Sequence, residues 1–222
     1  MQEKRTVAFF DFDKTLIKRE GAELGLKWAL ANGHASLLYA LTVVLANQLY
    51  KRSLLSADRM ASLMMRYYKG RDLRFFIDNV AEFHEKLTRP QYCPETVERV
   101  RYHREQGHTL VLLSASVEYL LTNVKSDFGF DYLICSRVGI GNDGLCTGRS
   151  EGPMVIGKQK EIAARKLGEQ INIDWESSWA YADHHSDLPL LELVGHPVVV
   201  RPTPPLRKVA TARGWEVIGE KS

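Results

Sequence analysis

Val7-Ala-Phe-Phe-Asp11-Phe-Asp13-Lys14-Thr15-Leu16 decides how this chain is read. Four apolar residues stopped by two carboxylates are the pattern of a buried strand reaching its carboxyl end. Positions i and i+2 of an extended chain share a face, so Asp11 and Asp13 can point to one rim. The same grammar recurs downstream. Thr109-Leu-Val-Leu-Leu113 ends at Ser114-Ala-Ser116, Ser178-Trp-Ala-Tyr-Ala182 ends at Asp183 with Asp187 four residues on, and Pro197–Val200 is a fourth run. Tyr132–Ser136 reads as another strand, and Gly139-Ile-Gly-Asn-Asp-Gly144 as a turn-rich hairpin. Between them lie helical patterns: Pro94–Gln106 with Pro at its start and Gly107 at its end, Val117–Val124, and Lys158–Leu167 closed by Gly168. Strands alternating with helices predict an α/β fold with a parallel sheet and crossover helices.

Residues 17–90 break that alternation right after the first strand, and from Leu24 to about Leu87 every signal is helical. The expected organisation is a core of 1–16 and 91–222 with a helical cap inserted at 17–90. Leu37, Leu38, Leu41, Val44, Leu45, Gln48 and Leu49 follow the rhythm of one helix face. Trp28 to Tyr50 holds no charged residue, yet the apolar run Leu37–Ala46 is too short to span a bilayer, so it reads as a buried or interfacial helix. Lys51, Arg52, Arg66, Lys69, Arg71 and Arg74 follow. An apolar helix with cations suits either a cap core with solubilising charges or a surface meeting an anionic amphiphile, so peripheral membrane contact through the cap stays open.

Composition narrows the class. The chain has 222 residues, 45% hydrophobic and 26% charged, which excludes disorder and leaves ample material for a core. Net charge is +3, but 17–90 carries 12 Lys/Arg against 7 Asp/Glu, leaving the remainder at −2. With so small a charge and no basic-aromatic motif, nucleic acid is not expected as a partner. Cys93, Cys135 and Cys146 form no C-x-x-C pair, and no leader pattern precedes the first strand, so a cytoplasmic protein with reduced thiols is expected. Oligomeric state leaves no trace in the sequence.

In such sheets the ligand crevice lies outside the carboxyl ends of the strands. Asp11, Asp13, Ser114, Asp183 and Asp187 gather there. Carboxylates crowded at one rim repel, and a hard divalent cation with oxygen ligands, Mg²⁺ above all, resolves the repulsion.

These residues carry a resemblance. Asp11-Phe-Asp13-Lys14-Thr15-Leu16 after four apolar residues resembles the first motif of the haloacid dehalogenase (HAD) superfamily of phosphatases. Leu110-Val-Leu-Leu-Ser114 resembles its second motif, Gly157-Lys-Gln-Lys160 its third, and Tyr181-Ala-Asp183-His-His-Ser-Asp187 its fourth. The ordered set is similar to subfamily IB, which includes phosphoserine phosphatase-like, CicA-like and phosphatidylglycerophosphatase C-like proteins. It implies a Rossmannoid core with a C1 helical cap.

The resemblance further implies a phosphomonoesterase that works through an aspartyl-phosphate. Asp11 would be the nucleophile and Asp13 the general acid and base. Mg²⁺ would be held by Asp11, Asp13 and Asp183 with Asp187 in support. Ser114, Ala115, Thr15 and the motif-three lysine would serve the phosphate. Lys160 is preferred as that lysine because relatives read G-x-x-K, with Lys158 as the competitor.

The expected substrate is a small phosphorylated metabolite, phosphoserine-like or another amino-alcohol phosphate. A lipid phosphate at a membrane surface, a phosphotransferase or mutase, and a non-catalytic phospho-ligand binder are the alternatives. The Asp-Lys-Thr order is shared with P-type ATPases, but no set of membrane spans accompanies it. Glu20 stands nine residues after Asp11, where phosphoserine phosphatases place a glutamate that meets the substrate amine. The match weakens elsewhere: their cap arginine signature is missing, and Ser186 replaces the Asn before the last Asp. His184 could touch the metal or tune its selectivity, although with His185 it is more simply a loop residue. Arg201 stands where CicA-like tails carry Asn.

Overall fold

In a computed structural model, residues 4–51 and 54–219 are described. Arg52 of the basic cluster therefore lies outside the described residues. The elements are β1 (Val7–Phe10), α1 (Gly21–Ala31), α2 (Leu37–Lys51), α3 (Ala57–Met65), α4 (Leu73–Phe83), α5 (Pro94–Glu105), β2 (Thr109–Val117), α6 (Glu118–Phe128), β3 (Tyr132–Ser136), β4 (Val138–Ile140), β5 (Cys146–Ser150), α7 (Lys158–Ile171), β6 (Trp179–Ala182), α8 (Leu188–Leu191), β7 (His196–Val200), α9 (Pro204–Arg213) and β8 (Glu216–Ile218).

Six parallel strands form one sheet in the order β3-β2-β1-β6-β7-β8, and β4 and β5 form a separate antiparallel hairpin. β1 is entirely buried because both faces of the sheet are covered. Val7 and Phe9 face a core built with Ala164, Leu167 and Ile171 of α7, whereas Ala8 and Phe10 face one built with Val100 of α5 and Leu121 and Val124 of α6. Phe9 stacks on Trp175, and Phe10 stacks on Tyr181 with centroids 4.5 Å apart.

The helical segment leaves and rejoins the core side by side. The Lys18 N–H donates to the Gln91 carbonyl at 2.8 Å, and the Cys93 N–H donates to the Leu16 carbonyl at 2.9 Å. Met65, Tyr68 and Phe76 of this segment pack on Val117, Val138 and Cys146 of the core and hairpin. All three cysteines are free thiols.

Three expectations are corrected. Helix α7 runs through Gly168 to Ile171. Gly168 is there for close approach, because a Cβ would meet the Trp175 ring at 2.6 Å. Strand β2 continues beyond Leu113 to Val117, with irregular register between Ser114 and Val117. The apolar stripe of α2 does not form the core of the helical segment. Leu37, Leu38, Leu41, Val44 and Leu45 are exposed, and Ala40, Val43 and Ala46 face inward. Small residues let this helix approach its neighbours closely, so the larger leucines are left outward. Among the described residues no helix is long and apolar enough to cross a membrane.

Candidate active site

Phe10 pairs with Leu112 on one side and Tyr181 on the other, which places Asp11 and Asp183 just beyond the carboxyl ends of β1 and β6 and Ser114 beside them in the last part of β2. The Asp11 N–H continues the ladder by donating to the Tyr181 carbonyl at 3.0 Å. Asp11 shares the parity of Val7 and Phe9, and so points to the α7 side of the sheet. Lys160 precedes Ala164, Leu167 and Ile171 on the buried face of α7 at helical spacing and is itself buried. The two meet. Lys160 Nζ donates to Asp11 Oδ1 and to Asp187 Oδ2, both at 2.7 Å.

Lys158, the alternative, is exposed at the start of α7 and lies outside the cavity. Removing Lys160 would strand two buried carboxylates, a loss of about 3–5 kcal/mol for breaking such a pair.

Asp13 lines the same cavity. Its carboxylate accepts from the Ser116 hydroxyl at 2.8 Å and from the Gly21 N–H at the start of α1. Neither residue is picked out by the sequence reading. Ser116 lies 103 positions from Asp13, and the irregular end of β2 is what turns it inward. A Cβ on Gly21 would sit 3.2 Å from Asp13 Oδ1, so glycine permits this approach.

Lys14 is left-handed at φ 56, a conformation costing a side-chain-bearing residue about 1 kcal/mol or more. From there its ammonium forms an ion pair with Glu20. Arg201 also takes a positive φ of 43 and donates to the Lys14 carbonyl at 2.8 Å, tying the C-terminal region to the loop after β1.

Ser114 and Thr15 are fully buried rather than cavity-facing. Ser114 Oγ accepts from the Ser116 N–H at 3.1 Å, and the Thr15 hydroxyl donates to Asp11 Oδ2 at 3.4 Å. In this arrangement both brace their neighbours, while Ala115 lines the cavity. His184 lines the rim, where its Nδ1 accepts from the Ser186 N–H at 3.2 Å. His185 is exposed.

Electrostatics follow from burial. Desolvation raises the Asp11 and Asp183 carboxyls well above the ordinary range. Lys160 only partly offsets the rise at Asp11, to which Asp187 and Asp13 add, while Asp11 and Asp187 add to the rise at Asp183 against Lys14 and Lys160. Burial also raises Asp13, against the lowering effect of its Gly21 and Ser116 hydrogen bonds. Lys160 stays protonated because Asp11 and Asp187 outweigh its burial. Four carboxylates against one buried lysine leave the rim short of positive charge. Among the described residues no three acidic, histidine or cysteine side chains are preset as a metal cage. Mg²⁺ needs none, since it keeps several waters and commonly takes one or two carboxylates with substrate phosphate oxygens. Oxygen donors from Asp11 and Asp183 fit that ion.

Asp11, Asp13, Glu20, Lys160, Asp183 and Asp187 line one cavity of about 500 Å³ that continues under α1, α3 and α4. This fold with this rim defines a class, the hydrolases that gather carboxylates and a lysine beyond a parallel sheet. Residues 8–192 match the haloacid dehalogenase-like hydrolase family, and the chain belongs to it.

A Mycobacterium tuberculosis protein named "Probable phosphatase" is 32% identical over 96% of this chain and 75% of its own length. The histidinol-phosphatase of Neisseria meningitidis is 26% identical over 98% of this chain and 100% of its own. Among solved structures, a phospho-aspartyl intermediate analogue of phosphoserine phosphatase superposes with a TM-score of 0.73 at 18% identity, covering 99% of this chain and 95% of that one. The protein is a hydrolase of this family, with relatives named as phosphatases.

Proposed function

We propose that the protein hydrolyses a phosphomonoester by way of a covalent aspartyl-phosphate on Asp11. The observation that carries this reading is the convergence of Asp11, Asp13, Lys160, Asp183 and Asp187 on one cavity, with Lys160 bridging Asp11 and Asp187. An Asp11 oxygen attacks phosphorus as the ester P–O bond breaks, and Asp13 donates its proton to the departing alkoxide. Burial raises the proton affinity of Asp13, the direction that suits a group acting as a general acid.

In the second half Asp13 takes a proton from water. The resulting oxygen nucleophile bonds to phosphorus, and the Asp11–phosphorus bond breaks to return the carboxylate and release phosphate. Lys160 steadies Asp11 and offsets charge on the phosphoryl group. Asp11, Asp183 and the Asp13 carbonyl would hold Mg²⁺, with Asp187 in support through Lys160. When bound, the ion neutralises the carboxylate rim and the phosphoryl oxygens.

Two observations pull differently on the substrate. Relatives named for histidinol phosphate and phosphoserine favour a small amino-alcohol phosphate. The outward leucines of α2 favour a second reading, hydrolysis of a lipid phosphate at a membrane surface through peripheral contact of the cap.

The test of the shared chemistry is phosphate release from p-nitrophenyl phosphate, histidinol phosphate, phosphoserine and short-chain phosphatidylglycerophosphate. Turnover should vanish in EDTA and return with Mg²⁺. Full activity in EDTA would remove the metal from the reading, and a folded protein inert on every ester would remove the phosphatase.

A further inference from the structure

The cavity changes character along its depth. Near the sheet it is lined by charged groups, and every one belongs to the catalytic rim or to the Lys14–Glu20 pair. Beyond them the wall is made by Trp28, Met60, Ala61, Met64, Met65 and Phe76, and among the described residues its only ionisable groups are the phenols Tyr39, Tyr67, Tyr68 and Tyr119. The Tyr39 and Tyr67 hydroxyls are enclosed without a hydrogen-bond partner. A ligand ammonium in this half would lose its hydration and gain no counter-charge, a severe cost. The carboxylate closest in kind to an ammonium receptor is Glu20, but Lys14 already occupies it.

We infer that the site takes a phosphomonoester whose alcohol half carries an extended, uncharged apolar body, and that Lys14 sets this preference by keeping Glu20 from binding an ammonium. The inference rests on the phosphatase reading and specifies its substrate class. Three features support it together. The cavity is of drug-like size, larger than a phosphorylated amino acid needs to be enclosed. Its far wall is mostly aliphatic, aromatic and sulfur-bearing, with the Asn47 and Asn79 amides and the tyrosine hydroxyls as its polar groups, a lining that takes up an alkyl or ring system far more readily than a charge. Finally, Lys14 keeps a left-handed backbone that glycine would adopt freely, so its side chain has a use that offsets strain.

Lys14 acts here as a specificity-determining residue. It is not assigned a proton-transfer role. Burial pulls its ammonium toward neutrality, but Glu20, with Asp183 and Asp13, more than reverses that effect, so the ammonium keeps its charge.

The experiment has two arms. In the first, kcat/KM is measured for butyl, hexyl and octyl phosphate below their micellar concentrations, beside phosphoserine and phosphoethanolamine. The wild-type values should climb by roughly two- to fourfold per methylene, with both amino esters at least tenfold below octyl phosphate. Lys14→Gly, which suits the backbone, should shift the amino-to-octyl ratio upward by about tenfold or more, mainly through KM. Lys14→Gly/Glu20→Gln should lose that shift. Ala61→Phe, which adds bulk to the far wall, should move the plateau of the alkyl series to shorter chains. A flat alkyl series, a wild-type preference for phosphoserine, or an unchanged ratio in Lys14→Gly overturns the proposal.

In the second arm, binding of the same esters to Asp11→Asn is followed by quenching of Trp28, with Trp28→Phe as the control. This arm needs no turnover. Affinity for Asp11→Asn that rises with chain length, while the wild-type protein hydrolyses no ester in the first arm, upholds the ligand class and ends the phosphatase reading. Affinity independent of chain length ends the ligand class.

Discussion

The sheet rim and the wall under the helical segment face each other across one cavity and are built on opposite principles. The rim crowds buried carboxylates around Lys160, so that nearly every group there is perturbed by another. The opposite wall shows no carboxylate among the described residues, and its side chains are held by packing and ring contacts such as Phe76 against Tyr67 and Tyr68, with the Arg71 guanidinium over the Tyr67 ring. Charge-dense groups in low dielectric carry out bond making but tolerate almost no substitution. An apolar wall costs nothing to desolvate and can be reshaped one methylene at a time. The division places reaction in the core and selection in the inserted helices, and each side can be tested separately.

The sharpest test of the rim is Asp11→Asn. Turnover should fall by about 10⁴-fold or more, since an amide cannot accept the phosphoryl group in this way. Thermal stability should hold or rise, because a costly buried charge is removed. Lost activity with lost folding would place Asp11 in the scaffold instead.

Lys160→Ala comes next, expected to cost about 10²–10³ in kcat/KM and to lower stability, while exposed Lys158→Ala leaves both near wild type. The reverse order would transfer the phosphate-binding role to Lys158. Smaller again is Ser116→Ala. Loss of one hydrogen bond to Asp13 should reduce kcat roughly five- to tenfold with KM little changed. An altered KM alone would mean that Ser116 meets substrate rather than Asp13.

The same division explains how much could be read from the sequence. Strands and their acidic ends were legible because burial and side-chain alternation leave a local record. Asp11, Asp183 and Lys160 each lie on a strand end or a regular helix face. The partners of Asp13 left no such record, because Gly21 and Ser116 reach it only after β2 turns irregularly at its end. Lys14 and Glu20 both stand in the motif region of the sequence, but that they pair with each other is a fact of three-dimensional proximity.

On α2 the periodicity placed Leu37, Leu38, Leu41, Val44 and Leu45 on one face without saying which way that face turned. The inward choice went to Ala40, Val43 and Ala46, where helices approach closely. Strand β8 and helix α9 follow short, mixed segments that carry little period of their own and gain order from packing against β7.

A last contrast lies within the core, between the charged rim and a neutral network beneath it. His103 is fully buried, with Nε2 2.8 Å from the Tyr181 hydroxyl and Nδ1 2.8 Å from His108 Nδ1. Burial, then His108 and Arg99, push its pKa down to about 3. The folded state therefore holds His103 neutral, whereas the unfolded chain binds a proton near its ordinary value of about 6.5. Stability from this site is complete above pH 6.5 and is lost as pH falls from there toward 3, because protons then favour the unfolded chain.

Melting temperature should decline as pH is lowered from 7 to 5, and His103→Gln, which keeps hydrogen-bonding capacity without titrating, should flatten part of that decline. If the variant melts with the wild-type slope, the acid sensitivity belongs to other groups, and His103 is a packing residue whose ring nitrogen proton is of no consequence to folding.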